Sequence, residues 1–212
     1  MKYIIMCGGR YEFWDKPRQL TEVNGEPIVA RTIRLLRECG VKDIAISADN
    51  PIFARFGVPL LTHRNEYTTE GYDQITDGYW CNCFYPMDSP VCYIFGDVIF
   101  SPEAIKIIVE YETDDVMLFG SKPPFAKEYP KQYIEPFAFK VWNTAHLHNA
   151  CDEVKELDAL GVFKRQPIAW ELWSVIRGSH PNKIDRSYVA INDYTSDIDY
   201  PKEVERVLKW LV

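Results

Sequence analysis

The sequence predicts a single α/β domain, residues 1–212, with a mostly parallel central sheet and helices on both faces. Three observations lead there. The chain opens strand, glycine turn, helix, strand, the unit from which parallel sheets are built. Short apolar runs then alternate with helical stretches to the end of the chain. A hydrophobic fraction of 47% over 212 residues is ample for one core.

The elements follow in order. Lys2 to Met6 is a short apolar strand that stops at Cys7-Gly8-Gly9. Pro27 to Cys39 carries Ile28, Val29, Ile33, Leu35 and Leu36 at helical spacing, and Gly40 supplies the C-terminal cap. Asp43 to Ser47 and Val58 to Leu61 read as strands, and Tyr72 to Cys83 as a helix. Pro90 to Phe100 is a strongly apolar strand interrupted by Gly96-Asp97. Pro102 to Tyr111 is a helix with proline near its start, where the missing N–H does no harm. Val116 to Gly120 and Tyr133 to Val141 are strands. Pro136 puts the second of these at a sheet edge or at a bend. Residues 150–178 read as mainly helical, Tyr188 to Ile191 as a late strand. Pro201 to Leu211 is a closing helix with Val204, Val207, Leu208 and Leu211 on one face. No repeat, low-complexity tract or Gly/Ser linker divides the chain.

Charge narrows the partners. Thirty-one acidic residues against 24 basic ones give a net charge of −7, which argues against non-specific nucleic-acid binding. A small anionic ligand remains compatible, because it feels the field of its own loop. Four of the six cysteines fall within or beside apolar runs, as buried thiols do, and Cys81-x-Cys83 lacks further ligands at zinc spacing. The chain shows neither a signal peptide nor an apolar run of membrane-spanning length, so the expectation is a cytoplasmic protein with no membrane partner. Association into a homo-oligomer is left open.

Three constellations carry chemistry. The first is Cys7-Gly8-Gly9-Arg10 followed by Lys16-Pro17-Arg18-Gln19-Leu20. A glycine pair after the first strand lets the backbone approach a ligand and turn N–H groups toward it. Arg10, Lys16 and Arg18 add three cations, a combination suited to a polyphosphate. An ordinary turn with solvated charges gives the same local pattern. Neither Gly-x-Gly-x-x-Gly nor a Walker loop is present. The second constellation is Gly96-Asp97 within an apolar strand. A carboxylate there is costly unless paired or metal-bound, and a strand's C-terminal end faces the ligand crevice of open α/β sheets. The alternative is a helix cap, a role that Ser101 suits better. The third is Ser196-Asp197-Ile198-Asp199-Tyr200-Pro201 with Glu203, where two carboxylates either bind metal or cap the closing helix.

These three motifs, in this order, resemble the sugar-phosphate type of nucleotidyltransferase, a group that includes sugar-nucleotide pyrophosphorylases, cytidylyltransferases and molybdopterin guanylyltransferases. The resemblance rests on the glycine loop with Arg10, on Lys16-Pro17-Arg18-Gln19-Leu20, on the turn Gly25-Glu26-Pro27 opening a helix, on Gly96-Asp97, and on Asp197-Ile198-Asp199-Tyr200-Pro201. It departs from the family pattern at Cys7, where alanine is usual, and at the aromatic stretch Tyr11 to Trp14. It departs again at Pro17-Arg18, where the family has Pro-Lys, and at Tyr200, where it has threonine. The resemblance implies a nucleotide-diphospho-sugar transferase-like fold. It also implies transfer of a nucleotidyl group from an NTP to a small phosphorylated acceptor, with pyrophosphate released and Mg²⁺ as cofactor. Asp97 and Asp199 would hold the metal, with Asp197 in support. Arg10, Lys16 and Arg18 would be catalytic, Lys16 and Arg18 competing for the key phosphate contact. Cys7, Gly8, Gly9, Asp49, Gly71, Asp73 and Gly96 would line the nucleotide, and Glu135 would meet the acceptor. The absence of an appended repeat domain leans toward CTP or UTP. Two rivals are a glycosyltransferase of the related fold and a non-catalytic nucleotide-binding domain.

Overall fold

The computed structural model describes residues 1–8, 14–63, 80–122 and 133–209. The first half runs β1 (Lys2–Met6), a 3-10 turn over Arg18–Leu20, the short strands β2 (Glu22–Val23) and β3 (Glu26–Pro27), α1 (Ile28–Glu38), β4 (Ile44–Ala48), β5 (Leu60–Thr62), β6 (Val91–Phe95) and β7 (Val98–Ile99). The second half runs α2 (Pro102–Glu110), β8 (Val116–Ser121), β9 (Pro136–Val141), α3 (Thr144–Ala159), α4 (Ala169–Ile176), β10 (Val189–Ile191), β11 (Ser196–Asp197) and α5 (Pro201–Leu208).

Seven strands form the main sheet in the order β10-β8-β9-β6-β1-β4-β5. All run parallel except β9, which is antiparallel to both of its neighbours, β6 and β8. Every residue of β4 and β6 is buried, which is why these strands are continuous apolar runs rather than alternating ones. Both faces of the sheet are therefore covered, as expected from the sequence. Helix α1 packs on α2, and α3 on α4.

Local chemistry sets the element ends. The buried stripe of α1 is Ile28, Val29, Thr32, Ile33, Leu35 and Leu36, and the chain leaves it through Gly40 at φ 82°, where a side chain would be strained. Ser101 caps α2, its Oγ accepting from the Ala104 amide at 2.8 Å. Asn143 caps α3 in the same way, at 3.1 Å from the His146 amide. Helix α3 therefore begins ahead of the start read from the sequence.

Two expectations meet the structure in part. Of the helix expected over Tyr72 to Cys83, Trp80–Cys83 form a 3-10 turn, and residues 72–79 lie outside the described residues. Of the edge or bend expected at Pro136, the edge is excluded, because β9 sits between β6 and β8. Proline is tolerated there because it is the first residue of the strand, paired with Gly120 where the register shifts. The Ser121 amide bonds the Glu135 carbonyl beside it, at 2.9 Å.

Lys140, next to the last residue of β9, is buried and its Nζ donates to the carbonyls of Ile108, Val109 and Tyr111 at 3.0, 2.8 and 2.6 Å. A cation thus closes the C-terminus of α2, where the helix dipole favours it. Burial pushes its pKa below the ordinary lysine value. Among the described residues no helix is long and apolar enough to cross a membrane. Lys140→Met should remove all three contacts and lower unfolding stability by about 3 kcal/mol in urea titrations, leaving the denaturant slope unchanged.

Candidate functional site

The site begins where β1 and β6 end side by side. Met6 pairs with Phe95, and the Gly96 amide then donates to the Met6 carbonyl at 3.0 Å. That close approach is why residue 96 is glycine: a Cβ would press on the Met6 carbonyl oxygen and lie 2.8 Å from Cys7 Sγ. Asp97 consequently emerges at the C-terminal end of the sheet, as expected from its place in the sequence.

From Asp97 the chain turns back as β7, which pairs antiparallel with β11, Val98 opposite Asp197 and Ile99 opposite Ser196. The Ile198 amide donates to the Asp97 carbonyl at 3.1 Å. Two acidic motifs far apart in sequence are thereby joined through the backbone. A small second core of Val23, Ile28, Ile99, Ile198 and Val207 packs at this joint.

Arg18 completes the arrangement. Its Nη1 donates to the Ile198 carbonyl at 2.8 Å and to Asp199 Oδ1 at 3.0 Å, and its Nη2 donates to Asp97 Oδ2. The Arg18 side chain is 8% exposed, against 17% for Asp97 and 40% for Asp199. Two carboxylates and one guanidinium thus converge at a half-open edge. Asp199 Oδ2 also accepts from the Tyr133 hydroxyl at 3.2 Å, and the Asp199 carbonyl from Trp14 Nε1 at 2.9 Å.

The neighbouring carboxylates hold the backbone instead. Glu203 Oε2 accepts the amides of Asp199 and Tyr200 at 2.8 and 2.9 Å, so the closing helix is capped by its own third residue and not by Asp197 or Asp199. Likewise α2 is capped by Ser101, not Asp97. The capping alternatives for both acidic motifs are thus filled by other residues.

The remaining residues singled out in the sequence fall as follows. Lys16 is exposed, and the cation brought between the carboxylates is Arg18. Cys7 is buried in the core and its amide donates to the Ser47 carbonyl at 2.8 Å, so it ends β1 instead of lining an open cleft. Burial, aided by the charge of Asp97, pushes its thiol pKa well up. Gly8 follows at the loop mouth, half-buried, and Asp49 stands exposed at the end of β4. Glu135 is buried, its Oε2 accepting from the Asp197 amide at 3.2 Å and lying 3.4 Å from Ser196 Oγ. It therefore anchors β11 from behind. Gly9, Arg10, Gly71 and Asp73 lie outside the described residues. Sequence reasoning missed the parts of Trp14 and Tyr133, and named Glu203 beside the third motif without its role. Trp14 had left a signal in the aromatic stretch of the first loop, and Glu203 in its place at the start of the closing helix.

The strand order and the single antiparallel strand define the fold of the nucleotide-diphospho-sugar transferases. No family model matches the chain, and no curated protein matches it in sequence. Solved structures do match in fold. One is a Bacillus anthracis protein described as a glucose-1-phosphate thymidylyltransferase, in complex with sucrose. It is 18% identical, with a TM-score of 0.56 over 98% of this chain and 94% of that one. The CTP:phosphocholine cytidylyltransferase of Streptococcus pneumoniae is 15% identical, with a TM-score of 0.52 over 100% and 99%. The 4-diphosphocytidyl-2C-methyl-D-erythritol synthase of Anaerococcus prevotii is 11% identical, with a TM-score of 0.57 over 99% and 95%.

Gly96→Ala should destabilise the protein by about 2–4 kcal/mol, because the group it meets first is backbone and cannot rotate away. The measurement is thermal or urea unfolding. An unchanged midpoint would show that the approach of β6 to β1 is not tight.

Proposed function

We propose that the protein transfers a nucleotidyl group from a nucleoside triphosphate to a small phosphorylated acceptor and releases pyrophosphate. The observation that carries this reading is the convergence of Asp97 and Asp199, from separate motifs, on the Arg18 guanidinium at the C-terminal edge of the sheet. Solved proteins of the same fold that are named for thymidylyl and cytidylyl transfer support it. Their names also favour a pyrimidine nucleotide.

The residues fit Mg²⁺. Among the described residues no cluster of three or more His, Cys, Asp or Glu side chains forms a metal cage, and two aspartates flank one guanidinium. Mg²⁺ favours such a set: one or two hard carboxylate oxygens, with water and phosphate completing the octahedron. Bound by Asp97 and Asp199, the ion would supply charge neutralisation at the phosphates. Asp197, one position before Ile198, supports the pair through the backbone.

The chain's own part in the reaction is positioning and charge. Arg18, with Lys16 and Arg10 from the same loop, would bind phosphate oxygens and stabilise charge building on the departing pyrophosphate. Arg18 presents a planar fork of donors, which matches phosphate better than a point charge does. The glycine pair after β1 is of the type that brings backbone N–H groups to phosphates. Glu135 and Glu203 keep β11 and the Asp199 backbone fixed, so the carboxylates need not reorganise during transfer.

Thermal-shift screening of the four NTPs with Mg²⁺ should give stabilisation with one or two of them, about 2.7 kcal/mol at a hundredfold excess over Kd. Pyrophosphate release over an acceptor panel then tests turnover, and Asp97→Asn should lower it at least about 100-fold. Release of nucleoside diphosphate from a nucleotide sugar would overturn the reading in favour of glycosyl transfer. Binding without any turnover would overturn it in favour of a regulatory domain.

A further inference from the structure

We infer that Trp14 is a positioning residue: its indole N–H fixes the peptide plane that follows Asp199 and so aims the Asp199 carboxylate at the cation it would hold. The inference rests on the functional reading above and adds a positioning residue to the same site.

Backbone geometry carries it. The two rigid peptide planes that meet at the Asp199 Cα set the direction in which its side chain leaves the chain. The plane before it is held at both ends. The Ile198 carbonyl accepts from Arg18 Nη1 at 2.8 Å, and the Asp199 amide donates to Glu203 Oε2 at 2.8 Å. The plane after it is held at both ends too. The Asp199 carbonyl accepts from Trp14 Nε1 at 2.9 Å, and the Tyr200 amide donates to Glu203 Oε2 at 2.9 Å. The two planes are thus gripped at their carbonyls from the chain between β1 and β2, and at their amides from α5. The Asp199 side chain is 40% exposed, so burial alone does not aim it and the backbone has a larger share in doing so. A group that ligates must be placed to within about 0.5 Å to act.

Packing does not explain the bond. Trp14 is half-buried beside the second core, so the bond is not needed to satisfy a fully enclosed donor. Any apolar side chain of similar size would fill that core, whereas the ring N–H is what tryptophan adds. Trp14 also stands four residues ahead of Arg18 in the same stretch of chain. The stretch that would bind phosphate is therefore tied to the residue that would bind metal at two places, the carboxylate through Arg18 and the backbone through Trp14. A bond to the backbone fixes that residue without occupying either of its carboxylate oxygens.

The test uses the full chain and two variants. Trp14→Phe loses the N–H and keeps a ring, while Val23→Ala trims the second core and keeps the N–H. Amide hydrogen exchange reads the backbone directly. Relative to the amides of α1, Trp14→Phe should speed exchange at Tyr200 about fivefold, the weight of one neutral hydrogen bond. Mn²⁺, titrated alone and followed by the loss of the free-ion resonance signal, reads the consequence, and Trp14→Phe should weaken its binding by about the same factor. Val23→Ala should leave both readings as they are in the natural protein. Unchanged exchange at Tyr200 overturns the inference, as does unchanged Mn²⁺ affinity or an equal loss in both variants, the mark of a loosened core. If Trp14→Phe fails to fold, replacement of Trp14 by 3-benzothienylalanine, which has sulfur in place of the N–H, carries the test with the same expected and overturning results. If Asp97→Asn leaves Mn²⁺ binding unchanged, the metal reading falls, while exchange at Tyr200 still decides whether Trp14 fixes the Asp199 backbone.

Discussion

One buried guanidinium holds three stretches of chain in register at the top of the sheet. Arg18 comes from the 3-10 turn after the first loop, Asp97 from the end of β6, and Ile198-Asp199 from the approach to α5. Any one of these groups left alone in so enclosed a place would be costly, because a buried charge without a partner loses its hydration for nothing. Together they satisfy one another. The β7–β11 pairing and the small core beneath it depend on that mutual satisfaction, since both lie directly behind the charged groups.

Behind the exposed carboxylates stands a second set of polar groups that never reaches the surface. Glu135 anchors the amide of Asp197, and Glu203 anchors those of Asp199 and Tyr200. On the far side Ser101 meets Asp193, while its amide is held by Thr195 Oγ1 at 3.0 Å. These bonds fix the backbone from which Asp97 and Asp199 project. A site built this way is preorganised: its supports are locked before any ligand arrives.

The departures from the family pattern acquire physical meaning. Cys7 lies under Asp97 in the core, where a small neutral side chain fits and a charged one would not. Trp14 packs against the second core and donates to the Asp199 carbonyl, so this one residue of the aromatic stretch holds the acidic motif. Tyr133 reaches the Asp199 carboxylate, so two aromatic side chains hold this one residue, one at its backbone and one at its side chain.

The sequence by itself determined the strand and helix order, the covered sheet and the two acidic motifs, because hydrophobic period, glycine turns and proline starts are local signals. It also marked Asp97 as chemically unusual, since a carboxylate within Ile94-Phe95-Gly96-Asp97-Val98-Ile99 is costly wherever the strand lies. It could not determine the position of Pro136 in the sheet, because an antiparallel insertion between β6 and β8 depends on pairing partners distant in the chain. Nor could it say which cation pairs with Asp97 and Asp199, or which residues cap the two helices that follow them. Those outcomes turn on which side chains face one another across the fold. Only the tertiary structure brought Arg18 between the carboxylates and gave the caps to Ser101 and Glu203, because charge pairing over such sequence separations is decided by packing and leaves no periodic trace in the residues.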